Sequence, residues 1–308
     1  MVLCIGEILA DLIGESHDGI MRYSRFPGGA PLNVAVGIKK LGGNVGFIGT
    51  VGDDIIGKYL FEYTSLVGFD YLDLNLDQMH NTALAFVDNK ENGERSFAFS
   101  RFNTADYLIS QDRLDIISDF DIIHVGTLML REEMGRKLAY EIINTAHRYN
   151  KLVSIDVNFR NDIFNDRNYA ISVYREYIEM ADIIKLSVDE VELFTGCKDY
   201  IEGLNQLVRG DQMVFVTLGS DGAYYQYGSD SLLVPTREIE VVDKTGAGDA
   251  FYACALAYLD SNNNYTKAYM ENVLKHANIC GGLACTRKGA ISALPTKKLL
   301  DAVYNEYY

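Results

Sequence analysis

The sequence has few cysteines, only 4 prolines among 308 residues, and no long apolar run. None of its apolar stretches approaches the roughly 18 residues that a helix needs to cross a membrane. The 5 cysteines are odd in number and include no Cys-x-x-Cys pair. This spacing disfavours a disulfide framework and a structural zinc site, so we expect the cysteines to be small buried side chains.

Basic side chains are also scarce: the sequence has 28 basic and 43 acidic residues, so its formal net charge is −15. A nucleic-acid or anionic-membrane partner requires the opposite charge, which makes both poor candidates. A negatively charged substrate would have to be held by a local group of donors. The N-terminal run 2–5 is too short for a signal segment and reads as a buried strand, so we expect a cytoplasmic protein.

Short apolar runs alternate with longer helical patterns along most of the chain. Strands are predicted at 2–5, 45–51, 122–125, 152–157, 183–186 and 213–218, and helices at about 31–41, 132–149, 167–180 and 188–195. Nearly all-apolar strands separated by helices are typical of a parallel sheet covered on both faces. The sequence therefore predicts an α/β fold with a mostly parallel central sheet, formed by one domain over residues 1–308.

Two segments, 11–26 and 70–102, break this rhythm because their polar and apolar residues alternate as in half-exposed strands. Within the second segment, Asn92-Gly93 between two such runs predicts a β-hairpin. Strands of this kind do not fit easily into a buried parallel sheet. We therefore predict a small antiparallel β layer, which is either a lid over a site or an extra hairpin at the sheet edge.

The first glycine motif, residues 28–35, is a turn followed by Pro31 at the start of a helix. Glycines let the backbone approach a ligand closely. Asn33, in the first helical turn, offers both donors and an acceptor, as a sugar hydroxyl requires. By itself, a motif of this type is more often a plain loop.

The second motif, Asp243-Lys244-Thr245-Gly246-Ala247-Gly248-Asp249, follows a strand-like run at 239–242 and begins a helix of small residues. A helix N-terminus carries unpaired backbone N–H groups and a partial positive charge, which stabilise a phosphoryl group. Asp249 either complements this dipole or acts on a substrate. The small residues before it leave the amides uncovered, which favours an anion site.

Other nucleotide-binding motifs are missing from the sequence. It contains no Gly-x-x-x-x-Gly-Lys-Ser/Thr pattern, which excludes the P-loop class, and no Gly-x-Gly-x-x-Gly after the first strand. A hydride-transfer enzyme is therefore a weak alternative.

The two glycine motifs, in this order, resemble the two signatures of the ribokinase-like (PfkB) carbohydrate kinase family, and within it those of the fructokinases. Further segments are similar to family blocks, at 156–160, 185–190, 217–222 and 286–290. The resemblance covers the whole chain. It implies a ribokinase-like three-layer sandwich with a β lid, and the ATP- and Mg²⁺-dependent transfer of a γ-phosphoryl group to a primary hydroxyl of a sugar.

The same resemblance implies roles for individual residues. Asp249 is the base that takes the proton of the sugar hydroxyl. The anion hole consists of the amides of Gly246, Ala247 and Gly248. The sugar-binding residues are Asp11, Gly29, Asn33, Asn158, Arg160 and, from the lid, Phe97. The nucleotide-binding residues are Lys185, Ser187, Thr217, Gly219, Gly222 and Asn278.

For metal ions, the resemblance implies that Glu190 positions magnesium through water. The loops that hold a monovalent cation such as potassium correspond to Asp243, Thr245, Ala284, Arg287 and Gly289. Lys244 and Ala293 depart from the family pattern at these loops, and both departures weaken the expectation of activation by potassium.

The fructokinase-type blocks favour D-fructose as the substrate and fructose 6-phosphate as the product. Another sugar or a sugar acid such as 2-keto-3-deoxygluconate remains an alternative, as does a catalytically silent sugar or nucleotide sensor. The retained Asp249 and the open Gly-Ala-Gly turn argue against the silent sensor. Two aromatic residues and an arginine on one face of the predicted hairpin further suggest a homodimer formed through the lid.

Overall fold

The computed structural model describes residues 1–89, 95–160, 163–262 and 265–308. Within these residues, a nine-stranded central sheet is covered by helices on both faces, and a second sheet has four strands. This is the covered, mostly parallel sheet that the alternation of apolar runs and helices predicts, and the three-layer sandwich that the resemblance implies. Every helix in this part of the chain is too short or too polar to cross a membrane.

Apart from the strand-like run at 239–242, the strands and helices whose bounds were predicted agree with the structure to within about one residue. The strands are β1 (Val2–Ile5), β2 (Leu9–His17), β3 (Ile20–Gly28), β4 (Val45–Gly52), β5 (Tyr71–Asp77), β6 (Leu84–Asn89), β7 (Arg95–Ser100), β8 (Ile122–Val125), β9 (Leu152–Asp156), β10 (Ile183–Ser187), β11 (Met213–Thr217), β12 (Ala223–Tyr227) and β13 (Asp230–Val234). The helices are α1 (Ala30–Lys40), α2 (Ile55–Val67), α3 (Glu133–Arg148), α4 (Arg167–Met180), α5 (Val188–Thr195), α6 (Tyr200–Leu207), α7 (Ala247–Asp260), α8 (Lys267–Cys285) and α9 (Lys297–Tyr307).

The central sheet has the strand order β13-β12-β11-β10-β9-β8-β1-β4-β5. Strands from β11 to β5 in this order pair in parallel, and β12 and β13 add an antiparallel hairpin at one side. In such a sheet, the carboxyl ends of the parallel strands meet at one edge, where ligands bind in open α/β folds. The loops after β1, β8, β9, β10 and β11 all lie at that edge.

Two apolar cores fill the space between the sheet and its helices. One packs α1, α7 and α8 around Phe47 and Phe215, and the other packs α3 to α6 around Phe120 and Tyr174. All five cysteines are free. Those at 4, 254 and 280 are buried in the first core, as expected of small apolar side chains, and the other two are half-buried.

The second sheet, which we call the lid, consists of β2, β3, β6 and β7 in the order β3-β2-β6-β7. It contains two antiparallel hairpins, and their inner strands β2 and β6 pair in parallel. The hairpin predicted around Asn92-Gly93 is β6–β7, and its turn lies outside the described residues. The lid is thus a separate layer and not an extra hairpin on the central sheet.

Two of the predicted segments are wrong in detail. β5, which lies within the predicted lid segment 70–102, pairs with β4 and forms one edge of the central sheet. An edge strand is half exposed, so its polar alternation looks like that of a lid strand. Residues 239–242 form no strand, since the Val242 amide donates to the carbonyl of Cys285 at the end of α8. The side chains of Val241 and Val242 are exposed and line a cavity.

Candidate active site

A cavity of about 1410 Å³ lies at the carboxyl edge of the central sheet, between the sheet and the lid. Asp11, Ala85 and Phe99 of the lid form part of its wall. These residues are neighbours across the strands, since Asp11 pairs with Ala85 and Ala85 with Phe99. The lid therefore presents one face to the cavity.

Most of the predicted site residues meet in this cavity. Its wall contains Asp11, Gly29, Asn33, Asn158, Arg160, Lys185, Ser187, Glu190, Thr217, Gly219, Asp243, Thr245, Gly246, Gly248 and Asp249. Residues that are separated by more than 200 positions in sequence are thus neighbours in space. The assembly includes both glycine motifs and residues of all four further family blocks.

Other predicted site residues lie outside the cavity wall. They are Gly222, Ala247, Asn278, Ala284, Arg287 and Gly289. The side-chain amide of Asn278 donates to the carbonyl of Val234 at 2.9 Å, and the backbone amide of Ala247 donates to the carbonyl of Lys244 at 3.3 Å. The side chain of Phe97 lies outside the described part of the structure.

The N-terminus of α7 opens directly onto the cavity. Gly246 precedes the helix with a φ of 76°, and a Cβ atom at this position would lie 2.8 Å from the Cα of Ala290. A left-handed turn packed this closely requires glycine. The Ala247 amide bonds to the Lys244 carbonyl, but no side chain caps the helix in the described structure, so the amides that follow Ala247 in its first turn are available to an anion.

Asp249 lies in the first turn of α7 and is held by the other glycine motif. The Asn33 side-chain amide donates to Oδ2 of Asp249 at 2.7 Å. Burial raises the pKa of Asp249, and the hydrogen bond from Asn33 and the charges of Lys185 and Arg160 oppose this rise. The net rise makes the Asp249 carboxylate a stronger proton acceptor than a free aspartate.

A buried ion pair lies beside this turn. Lys185 Nζ is 3.0 Å from each carboxylate oxygen of Asp156, and both side chains are buried. A Cβ atom added to Gly248 would lie 2.8 Å from the same Nζ, which places the ammonium against the start of α7. Burial lowers the pKa of Lys185, but nearby carboxylates, chiefly Asp156 and Glu190, outweigh burial and raise it, so the ammonium stays charged.

Glu190 joins two loops at the edge of the cavity. Its Oε2 accepts from the Ser187 amide at 2.7 Å and its Oε1 accepts from the Phe159 amide at 2.6 Å. Ser187 Oγ accepts in return from the Glu190 amide, which completes a capping box on α5. Both oxygens of Glu190 are therefore engaged by the backbone.

Asp243 connects the two loops that the resemblance assigns to a monovalent cation. It is buried, and its Oδ1 accepts from the Thr245 amide at 2.8 Å while its Oδ2 accepts from the Gly289 amide at 2.7 Å. The side chain thus holds together the loops at 243–245 and 287–289. In the described part of the chain, no three His, Cys, Asp or Glu side chains form a cluster suited to a metal ion.

Sequence reasoning missed several residues of the cavity wall, among them Glu7, Thr127, Asp156 and Lys288. A charged residue at the end of an otherwise apolar strand was the available signal for Asp156. For Glu7, the signal was the alternation of positions 7, 9 and 11, of which only Asp11 was assigned. The Nζ atom of Lys288 lies 3.4 Å from Oε1 of Glu15 in the lid, so this ion pair connects the loop at 287–289 to the lid.

Comparison with known proteins agrees with this geometry. The family model of the pfkB family carbohydrate kinases matches residues 1–297. A fructokinase of Escherichia coli is 34% identical to this chain over 304 residues, which cover 98% of each protein.

Solved structures of fructokinases also superpose on this chain over nearly its whole length. A fructokinase from Xylella fastidiosa with bound ATP superposes with a TM-score of 0.90 at 28% identity, covering 99% of this chain and 98% of that one. A double mutant of the Vibrio cholerae fructokinase, with fructose, ADP and a potassium ion bound, gives a TM-score of 0.87 at 30% identity, covering 98% and 97%. The chain belongs to the pfkB family of carbohydrate kinases, which transfer a phosphoryl group to an alcohol group of the substrate.

Proposed function

We propose that this chain is an ATP-dependent fructose kinase that forms fructose 6-phosphate. The observation that carries the proposal is the position of Asp249 at the uncapped N-terminus of α7, held by Asn33 and next to the ammonium of Lys185. The similarity to fructokinases, one of them solved with fructose and ADP, supports fructose as the sugar.

In the proposed reaction, the Asp249 carboxylate takes the proton of the primary hydroxyl. The hydroxyl oxygen forms a bond to the γ-phosphorus of ATP, the bond between that phosphorus and the leaving oxygen breaks, and ADP departs with the electron pair. Phosphoryl transfer depends mainly on positioning and on charge stabilisation. The amides that follow Ala247 in the first turn of α7 and the Lys185 ammonium supply that stabilisation.

The lid and the loops around the nucleotide complete the proposed site. Asp11 and Asn33 offer acceptors and donors to the sugar hydroxyls, and Phe99 covers the sugar from the lid. Thr217 and Gly219 lie at the carboxyl edge of β11, where we place the nucleotide. A lid is useful because water would otherwise compete with the sugar as acceptor.

Two acidic residues of the cavity wall, Glu190 and Asp243, suit the metal ions of the proposed reaction. Mg²⁺, which neutralises phosphate charge when bound, keeps several water ligands and needs few protein ligands. Glu190, with both oxygens on backbone amides, fits contact through water. Asp243, which holds the 243–245 and 287–289 loops together, fits the site for a monovalent cation such as potassium.

Fructose is expected to give the highest kcat/KM when it is compared with glucose, ribose, adenosine and 2-keto-3-deoxygluconate at saturating ATP and Mg²⁺. The measurement is ADP release in a coupled assay, with Asp249→Asn as the blank for contaminating kinases. A clear preference for ribose or adenosine would contradict the proposed substrate. The absence of turnover with every sugar would favour the silent sensor.

We also propose that two copies associate through the lid. β3 is an edge strand of the lid, and it exposes 61% of Ile20, 47% of Met21 and 43% of Tyr23. An apolar edge of this kind is a liability unless it is covered.

Sedimentation of the wild-type protein is expected to give a dimer, and Met21→Asp is expected to shift it toward the monomer, because the new charge would be buried at the interface. Leu66→Asp, at a position on α2 that is 87% exposed, is the matched control and should leave the mass unchanged. A monomeric wild-type protein would contradict the proposal.

A further inference from the structure

Glu7 lies in the wall of the cavity, and the proposed transfer step does not use it. It follows β1, and its side chain is only 3% exposed. In extended backbone, alternate residues share a face. Leu9 and Asp11 also line the cavity, whereas Ile8 and Ala10 are fully buried. Glu7 is therefore the first of three alternate residues that face the sugar end of the site.

Two glycines fix the position of Glu7. A Cβ atom on Gly126, just after β8, would lie 2.2 Å from Oε2 of Glu7, and a Cβ atom on Gly29 would lie 2.4 Å from the Glu7 carbonyl oxygen. Glu7 is thus held between the loop after β8 and the first glycine motif. Its carboxyl group has little freedom to move away from the cavity.

The buried Oε2 of Glu7 has no hydrogen-bond partner among the described residues. Leaving a buried polar atom unpaired costs free energy, so such an atom usually serves a ligand or water. Oδ1 of Asn33, which lies in the same wall, is unpaired in the same sense. Two unpaired polar atoms in one wall suit a ligand that carries several hydroxyl groups.

Four titratable or charged groups act on Glu7 from the elements around it. They are Arg101 and Asp106 after β7, Asp249 on α7 and Tyr174 on α4. The guanidinium of Arg101 is engaged by Asp106 through Nε at 3.0 Å and by the carbonyl of Leu128. Burial raises the pKa of Glu7 to about 8; a hydrogen bond from its own backbone amide and the charge of Arg101 oppose this rise, and Asp106 and Asp249 add to it.

We propose that Glu7 is a specificity-determining residue that, as a neutral carboxylic acid, donates a hydrogen bond to a hydroxyl group of the sugar. The inference rests on the proposed fructose kinase function. A protonated acid adds a donor to a wall in which Asp11 and Asp249 offer acceptors. A sugar hydroxyl can accept from Glu7 while a neighbouring hydroxyl donates to an aspartate.

Two substitutions of similar volume test the hydrogen bond. Glu7→Gln keeps a neutral donor, and Glu7→Leu removes it. We expect Glu7→Leu to raise the fructose Kd and KM by about tenfold or more, because a site built for a hydrogen bond discriminates strongly against its loss. Glu7→Gln is expected to stay within about threefold of wild type, and the KM for ATP should change by less than about twofold in both variants.

Isothermal titration with fructose and steady-state kinetics give these values, and thermal unfolding confirms that each variant is folded. Fructose affinity within about twofold of wild type in a folded Glu7→Leu protein would overturn the proposal, since a tenfold loss is expected there. An equal loss in both variants would also overturn it, because only one of them lacks the donor.

The protonation state has two further readouts. For wild type, kcat/KM for fructose should fall about tenfold between pH 7 and pH 9, as a donor of pKa about 8 loses its proton, and Glu7→Gln should remove this fall. The raised pKa of Glu7 also makes the stability of the folded protein depend on pH. Below the ordinary pKa of 4.5 the contribution of Glu7 is fully present, and it is lost as the pH rises toward 8, because the unfolded chain releases the proton that the folded protein retains. Glu7→Gln should therefore flatten the decline of Tm between pH 5 and pH 8.

The Tm comparison needs no substrate, so it separates the inference from the proposed function. A wild-type protein that neither binds nor phosphorylates fructose would end the fructose kinase proposal, even with the expected Tm difference. If Tm depended on pH in the same way in wild type and Glu7→Gln, the proposal that Glu7 is a neutral acid would be wrong. The same conclusion would follow if kcat/KM for fructose fell equally in both proteins between pH 7 and pH 9.

Discussion

Replacing Asp249 with asparagine is expected to lower kcat by about a hundred- to ten-thousand-fold, the usual contribution of a positioned general base. Asparagine has the same shape and can still accept the hydrogen bond from Asn33, so the fold and the sugar KM should change little. ADP release at saturating fructose and ATP measures the loss. Thermal unfolding of the same protein shows that the structure is retained.

The control for Asp249→Asn is a substitution of another acidic residue in the first turn of a helix. Glu202 lies in the first turn of α6 and is exposed. If Asp249 only complemented the helix dipole, Asp249→Asn and Glu202→Gln would both cost less than about 1 kcal/mol of stability and leave turnover intact. Near-native turnover of Asp249→Asn would show that Asp249 is not the general base of the reaction.

The helices that the sequence predicts most accurately have their boundaries set by local contacts. α4 and α5 occupy the predicted residues, 167–180 and 188–195. Asp166 accepts hydrogen bonds from the first amides of α4, and Ser187 and Glu190 form a capping box on α5. Each of these signals lies within a few residues of the boundary that it fixes, so a single sequence is enough to read it.

Strand partners and side-chain contacts depend on residues far apart in sequence, and here prediction was limited. The alternation that marked the lid also occurs in β5, which joins the central sheet, since both kinds of strand have one exposed face. The described structure places Phe99 in the cavity wall, a residue that the resemblance did not name, while the role of Phe97 stays a prediction. No local pattern could show that Asn278 bonds to the carbonyl of Val234.

The candidate site shows the same division. The uncapped turn before α7 and the small residues around it are visible in the sequence. The approach of Asn33 to Asp249 and of Lys185 to Asp156 joins residues 216 and 29 positions apart, respectively. The sequence predicted members of the site through a family resemblance, but only the fold shows which of them touch.

Replacing Lys185 with methionine is expected to lower kcat by about a hundred- to a thousand-fold, the range for removal of a preorganised charge from a reaction site. Its Nζ would lie 2.8 Å from a Cβ atom on Gly248, so it faces the amides at the start of α7. The ammonium remains charged because carboxylates surround it. It is therefore placed to stabilise negative charge on the transferred phosphoryl group.

The single substitution has a second effect that must be separated from the first. Lys185→Met leaves the Asp156 carboxylate buried without its partner, and a broken buried pair typically costs about 3 to 5 kcal/mol of stability. Lost activity could then reflect partial unfolding. The double variant Lys185→Met with Asp156→Asn removes both charges, so it leaves no uncompensated buried charge, which is the main cause of that cost.

The double variant is thus expected to unfold within a few degrees of wild type and to retain the full loss of kcat. Lys39→Met with Asp70→Asn is the control, because it removes an ion pair of 2.9 Å at residues outside the cavity wall. Its kcat should stay within about threefold of wild type, as expected for a half-exposed pair of little energetic weight. Recovery of near-native turnover in the Lys185 and Asp156 double variant would show that the pair only stabilises the fold, because a neutral side chain cannot replace a charge that acts on the phosphoryl group.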